Sequence, residues 1–365
     1  MTIRNYAKIK KVYTKKFKRQ IFCSDIHGDF NVFKKAYKII NISKSDCLFI
    51  LGDILEKGEE SLKLLRYIIN LTKEKNVHYL KGNNDEIFIN LFEFNDLRKL
   101  KIYINVKKSK IIKEIMDECG LNTLDEFFQK KNFLKKKYER EINFIKMAPE
   151  IIETEHFILV HAGISNGKLS KQDKKICLEQ SFFYNNFCGR NKIVIVGHCP
   201  VSMYHENYIN HNPIIDNDKK IICIDGGNKT KLGGQINFLT YRNGIFDNLA
   251  FDNLKTIKSC HEQSETSNTV NIMWHKRKLK NVIEGEDYSI CELEQYSGNY
   301  KIYNDFIDFK RLELNEDYTD KLLNIKIGDN IKLISNFKNQ YYIKKDGVVG
   351  WLVGEIEKEN YEIFN

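Results

Sequence analysis

The sequence predicts a mixed α/β protein followed by a smaller all-β module, and three observations carry the prediction. Apolar runs rich in Val, Ile and Phe recur across residues 18–250, and five of them end in a glycine-containing block that carries Asp, Asn or His. Segments with helical apolar spacing separate the first of these runs, as in βαβ units. Beyond residue 290 the chain changes to short β-rich runs with no helical period.

Residues 18–90 read as strand, helix, strand, helix, strand. The first strand is Ile21-Phe22-Cys23, closing in Ser24-Asp25-Ile26-His27-Gly28-Asp29, and Val32 to Ile40 has helical spacing. The second apolar run ends in Gly52-Asp53, with helical spacing again from Glu60 to Leu71, and the third closes in Lys81-Gly82-Asn83-Asn84-Asp85. Residues 87–147 form a charge-rich helical stretch without a motif, suited to covering the core or shaping access to a site. Strand signals return from Ile151 to Tyr241 and carry Val160-His161-Ala162-Gly163, Val196-Gly197-His198-Cys199-Pro200 and Ile222-Cys223-Ile224-Asp225-Gly226-Gly227. Residues 251–289 lack motifs, and Ser259 to Asn268 is polar, so a linker is expected there.

Asp, His, Asp, Asn, His and His thus arrive in order, each just past a strand, where open α/β sheets gather ligands. Carboxylate and amide oxygens mixed with imidazole nitrogens suit Mn²⁺, Fe or Zn²⁺ better than a thiolate site would. One carboxylate can bridge two ions, and two metals roughly 3.5–4 Å apart can clamp both oxygens of a phosphoryl displacement. Singly, each block reads equally well as a turn or a helix cap. Their joint order and spacing is what points to a metal site.

On these blocks the chain resembles the calcineurin-like metallophosphoesterases, in the bacterial form of their phosphoprotein-phosphatase branch. The resemblance runs from about Lys18 to Asn248 and takes in Leu232-Gly233-Gly234-Gln235-Ile236-Asn237 as a closing strand. It implies a β-sandwich flanked by helices, with Asp25, His27 and Asp53 on one metal and Asp53, Asn83, His161 and His198 on the other. Two divalent cations are implied, Mn²⁺ ahead of Fe or Zn²⁺, with a hydroxide bridging them as nucleophile.

Departures from the family pattern bear on the substrate. Gly-Asp-x-x-Asp-Arg-Gly is replaced by Gly52-Asp53-Ile54-Leu55-Glu56-Lys57-Gly58, and Gly-Asn-His-Glu by Gly82-Asn83-Asn84-Asp85. In the family the histidine of the second pattern pairs with the aspartate of the first and protonates the leaving oxygen, while the arginine grips phosphate. Here Asn84, Glu56 and Lys57 stand in those places. Asn84 carries no proton at neutral pH, so a general-acid contribution typically worth about 10²–10⁴-fold is lost. Lys57 offers a point charge where a planar fork is usual. Asp85, Glu86, His205 and His211 are substitute acids, and Arg190 a second phosphate ligand, each weighed against a solvated loop residue.

The expected function is therefore hydrolysis of phosphate esters that favours phosphodiesters or nucleotides. The alternatives are a serine/threonine phosphoprotein phosphatase and a catalytically weak scaffold. Substrate partners would be a phosphorylated small molecule, a nucleotide or a phosphoprotein.

Composition sets the outer limits. With 42% hydrophobic residues, 23 Phe and 19 Tyr, the 365-residue chain can bury a large core. No window approaches 18 uninterrupted apolar residues and no signal-type segment opens the chain, so a cytoplasmic protein without a membrane partner is expected. The nine cysteines are scattered, with no Cys-x-x-Cys pair and an odd total, so neither a disulfide framework nor a zinc knuckle is indicated. The net charge of +10 is dispersed over several lysine runs rather than one stripe, and would draw anionic substrates.

Residues 290–365 resemble bacterial Src-homology-3-like domains from Ile327-Gly328-Asp329 to Asp346-Gly347-Val348-Val349-Gly350-Trp351-Leu352, with Asp346-Gly347 a hairpin turn. Such a barrel would bind a peptide or protein or stabilise the chain. Tyr341 and Trp351 are groove candidates, though an aromatic in so small a barrel is more often core.

Overall fold

A computed structural model describes residues 5–187, 190–337, 340–354 and 356. It divides into two compact units, the first formed by residues 1–200, 212–230 and 235–252, the second by 201–211, 231–234 and 253–365.

The first unit carries strands β1 (Ile9–Lys11), β2 (Arg19–Cys23), β3 (Asp46–Leu51), β4 (Val77–Leu80), β5 (Ile151–Glu153), β6 (Phe157–Val160) and β7 (Ile193–Val196). After β8 (Ile209–Asn210), which belongs to the second unit, come β9 (Ile214–Asp216), β10 (Ile221–Cys223), β11 (Ile236–Arg242) and β12 (Ile245–Phe251). One sheet has the order β12-β11-β2-β3-β4, the other β1-β5-β6-β7-β10-β9. Within the first, β2, β3 and β4 run parallel, and within the second β6, β7 and β10 do. All six residues of β3 are buried, as a central parallel strand covered on both faces requires.

One face of each sheet meets the other in a shared core. Phe22, Phe49 and Leu51 from one and Phe157, Leu159 and Ile195 from the other pack together there. Phe22 stacks on Phe49 at 5.5 Å and receives Phe157 edge-on at 5.3 Å.

Helices cover the outer face of the β2–β4 sheet. α1 (Phe30–Ile40) begins where the Asp29 carboxylate accepts from the Val32 amide, ends at Asn41 in a left-handed conformation, and buries Phe30, Val32, Phe33, Ala36 and Ile40. α2 (Ser61–Leu71) follows, then the inserted series α3 (Asp85–Leu91), α4 (Leu97–Lys107), α5 (Ile111–Glu118), α6 (Leu124–Gln129), α7 (Lys131–Lys137) and α8 (Glu139–Met147). Phe88, Phe92, Ile115, Phe127, Tyr138 and Ile142 join the core that holds Phe33 and Phe238, so residues 87–147 do cover the core.

In the second unit, strands Lys255–Lys258, Asn330–Phe337, Gln340–Lys345, Val348–Val353 and β8 form a five-stranded antiparallel sheet in that order. Asp346 and Gly347 adopt φ of 50° and 80° between paired Lys345 and Val348, the geometry of a two-residue primed turn. Trp351 is 3% exposed, donates from Nε1 to the Thr319 carbonyl at 2.7 Å and packs among Tyr303, Phe306 and Tyr342, so it is core. Tyr341 is half-buried beside a smaller cluster around Ile331 and Ile343.

Residues 251–289 correct the expected linker. They contain Lys255–Lys258, Asn271–Ile272 and Leu279–Ile283, each paired to another strand. The polar stretch is fixed by hydrogen bonding: the Gln263 amide donates to the carbonyls of Leu323 and Trp351, both at 2.8 Å. Hydropathy does not register such anchoring. Among the described residues, no helix is long and apolar enough to cross a membrane.

Candidate metal centre

The predicted ligands follow the carboxyl ends of the parallel strands of both sheets. Asp25 and His27 come after β2, Asp53 after β3, Asn83 after β4, His161 after β6 and His198 after β7. The chain must turn sharply at each end to bring a side chain inward, and Asp25, His27, Asp53 and His198 do so with φ of 52°, 52°, 50° and 68°. Left-handed backbone costs a non-glycine residue about 1–3 kcal/mol, and such strain collects at functional sites.

Two groups of donor atoms result, Asp25, His27 and Asp53 in one and Asp53, His161 and His198 in the other, with all ligand atoms of a group within 4.8 Å of one another. Asp53 is shared. His27 Nε2 lies 3.8 Å from Asp25 Oδ1 and 4.0 Å from Asp53 Oδ2, and His161 Nε2 lies 3.4 Å from Asp53 Oδ2 and 3.0 Å from Asn83 Oδ1. The other ring nitrogens face backbone carbonyls, His27 Nδ1 at 3.2 Å from Leu55 and His161 Nδ1 at 2.9 Å from Leu51. Such contacts fix the tautomer and aim Nε2 at a metal. His198 packs against the His161 ring, and its amide donates to Asp25 Oδ2 at 3.0 Å.

The electrostatics suit cations. Burial pushes the Asp25 carboxyl up to about 7, and burial together with the neighbouring His161 pulls His198 down to about 4. Against its burial, Asp53 beside it raises His161, while Asp53 itself is held down by the surrounding imidazoles against the upward pull of burial. Protons thus compensate clustered carboxylates that divalent ions would otherwise neutralise. The donor set of carboxylate, amide and imidazole fits hard or borderline divalent metals. The cradle is close-fitting too: an added Cβ at Gly82 would overlap Asp53, and one at Gly197 would overlap Ser24 and Asp25.

The residues singled out for catalysis scatter. Asn84 stays beside the ligands, its backbone amide donating to Asp53 Oδ1 at 2.8 Å and its side-chain amide to Asp53 Oδ2. Asp85 corrects the expectation of a substitute acid. Fully buried, it accepts from the amides of Asp53, Ile54, Leu55 and Gly82 and from Tyr79 Oη, so both oxygens serve the Asp53 loop. Glu56 is 1% exposed and accepts from Ser109 Oγ and the Lys110 amide, each at 2.6 Å. Lys57 is half-buried and makes no ion pair or hydrogen bond with the described residues. Glu86 pairs with Lys81 and Lys174, and Arg190 donates to the carbonyls of Ser165 and Gly167. His205 and His211 belong to the second unit.

Asp225 is the site residue that the reading passed over. It follows β10 just as Asp25 follows β2, is 2% exposed, and is raised first by burial and then by the Asp25 charge. The signal was present in Ile224-Asp225-Gly226-Gly227, another strand end carrying an acid and glycine.

Comparison with known proteins follows the same residues. A family model described as calcineurin-like phosphoesterase matches residues 18–223. A symmetrical bis(5'-nucleosyl)-tetraphosphatase of Buchnera aphidicola subsp. Schizaphis graminum is 33% identical over 161 residues, covering 43% of this chain and 49% of that protein. An asymmetrical bis(5'-nucleosyl)-tetraphosphatase of Oceanobacillus iheyensis is 25% identical over 167 residues, covering 41% and 58%. The chain spans about half the length of the curated relatives it matches. Among solved structures, a serine/threonine phosphatase from Saccharomyces cerevisiae shares 12% identity at a TM-score of 0.42, over 68% of this chain and 85% of that one.

Proposed function

The chain belongs to the calcineurin-like phosphoesterase family, and from that premise we propose that it is a metal-dependent phosphoric ester hydrolase favouring the phosphoanhydride and phosphodiester links of nucleotides. Asp25, His27 and Asp53 would hold one divalent ion, and Asp53, Asn83, His161 and His198 a second, with Mn²⁺ ahead of Fe or Zn²⁺. When bound, such ions polarise phosphate oxygens and activate water.

Asn84 carries the choice of substrate. Its amide is spent on Asp53 and has no proton to give a leaving oxygen at neutral pH. A leaving nucleotide phosphate, with a pKa of about 6, departs already ionised and needs no acid. A serine alkoxide does need one, and Asp85 and Glu56 are both committed to backbone amides. Lys57 stands on the Asp53 loop, makes no ion pair with a described carboxylate and supplies positive charge for a phosphate. The two tetraphosphatase relatives support the same substrate class.

We place the protein in the cytoplasm, a reading supported by the free thiols of Cys23, Cys47, Cys119, Cys177, Cys223, Cys260 and Cys291. The Src-homology-3-like reading of the C-terminal strands, as a recognition or stabilising module, is supported by the Asp346–Gly347 hairpin.

The test is parallel hydrolysis, with Mn²⁺, of a dinucleoside tetraphosphate, an aryl phosphodiester and a phosphoserine peptide, with Asp53→Asn as control. Turnover of the first two that vanishes in the control is the expected result. Efficient phosphoserine cleavage would move the assignment to a phosphoprotein phosphatase, and inactivity on all three with Mn²⁺ bound would leave a scaffold.

A further inference from the structure

The Asp53 loop contains two consecutive residues in left-handed backbone, Glu56 at φ 69° and Lys57 at φ 65°. Neither is glycine, so the pair persists only where its surroundings over-determine it. On one side the Gly58 amide donates to the His27 carbonyl at 2.9 Å, and an added Cβ at Gly58 would overlap that carbonyl, so the loop lies directly on the Asp25–His27 segment. On the other side a closed ring of hydrogen bonds ties the loop to α5. The Glu56 carboxylate accepts from Ser109 Oγ and from the Lys110 amide at the start of α5, each at 2.6 Å. From the first turn of α5, Glu114 returns to accept from the amides of Ser61 and Leu62 at 2.8 Å, and Ser61 Oγ accepts from the Glu56 amide at 3.1 Å. Carboxylates at helix N-termini are favoured by unpaired amides and by the helix dipole, so each half of the ring stabilises the other.

We propose that Glu56 is a positioning residue that sets Lys57 beside the metal centre by latching its loop to the start of α5, so that the helical segment governs how tightly a substrate phosphate is held. Its carboxylate serves as a cap for the start of α5, while the Asn84 amide is bonded to Asp53 instead. The Lys57 ammonium makes no ion pair or hydrogen bond with the described residues, and its charge is felt at both Glu56 and His27. The inference rests on the proposed phosphoesterase reading for its substrate but not for the latch itself.

The test is a double-mutant cycle of Glu56→Ala and Lys57→Ala, assayed with Mn²⁺ on an aryl phosphodiester and by calorimetric titration of inorganic phosphate. Each single variant is expected to raise KM and the phosphate Kd by about tenfold with kcat little changed, and the double variant to be no worse than Lys57→Ala. Ser109→Ala, which retains the carboxylate, gives a smaller rise and faster hydrogen exchange of the amides of residues 53–61; it keeps the question decidable if Glu56→Ala does not fold. Additive losses in the cycle, or unchanged exchange in Ser109→Ala, overturn the latch. If the wild type is inactive yet phosphate binding follows the cycle as expected, the latch stands and the functional reading falls.

Discussion

Asp53 belongs to both candidate ligand groups, so one carboxylate would govern two metal positions. Asp53→Asn is expected to abolish Mn²⁺ binding at both, whereas His198→Asn should spare the position formed by Asp25, His27 and Asp53; calorimetric stoichiometry distinguishes the two. Asn84 invites the opposite experiment. Asn84→His restores a titratable group beside Asp53, and should raise kcat on a phosphoserine peptide by about 10²-fold, the low end for a general acid, because Glu56 is engaged with α5 and cannot orient it. Turnover of a dinucleoside tetraphosphate should change little. A comparable gain on both substrates would refute the leaving-group argument. The candidate ligands were legible in the sequence because each sits at the end of an apolar run, whereas the place of Asp85 was not. Nothing in Asn84-Asp85-Glu86 indicates that the middle residue turns inward to serve four amides and a tyrosine.

Among the elements, the loop after β3 depends on Asp85 as a strand depends on its neighbour. Asp85→Asn replaces one acceptor oxygen with a donor that faces amide hydrogens, and should cost about 2–3 kcal/mol in urea unfolding; a loss below 0.5 kcal/mol would show that the loop holds by other means. His78 on β4 supplies a pH signature. Burial, reinforced by Lys10 with Nζ 3.3 Å from Nδ1, lowers its pKa to about 4, against about 6.5 for an unfolded histidine. Between these values the unfolded chain holds a proton that the folded chain lacks, so this contribution to stability is complete above pH 6.5 and is lost as pH falls to 4. His78→Gln should flatten the stability profile in that window, measured by denaturant midpoints. The strands and α1 were readable because period and capping are local properties. Lys255–Lys258 and Asn271–Ile272 were not, because their partners lie far along the chain and the anchors between them are polar.

At the scale of the whole molecule, the excess of 59 Lys and Arg over 49 Asp and Glu gives a net +10. For a polyanionic substrate, attraction of this kind is screened over about 8 Å at physiological ionic strength. KM for a dinucleoside tetraphosphate should therefore rise with added salt while kcat holds, and a salt-independent KM would confine recognition to short-range contacts. The first unit shares one core between two sheets, so the candidate metal ligands that follow β2–β4 and those that follow β6 and β7 depend on the same packing. A core substitution such as Phe22→Ala is thus expected to weaken Mn²⁺ binding as well as stability.

The sequence alone determined the α/β class, the order of the strands in the chain and the six candidate ligands, because apolar runs, glycine turns and metal-binding side chains are written locally. Tertiary structure decided which carboxylate faces the site and which supports it. Asp53 and Asp85 both follow strands of the same sheet, yet Asp85 is enclosed by backbone amides and Asp53 faces imidazoles. Glu56 likewise acquired its role from Ser109 and Lys110, more than fifty residues away. A carboxylate's function depends on the donors that surround it, and those are assembled only when distant segments pack.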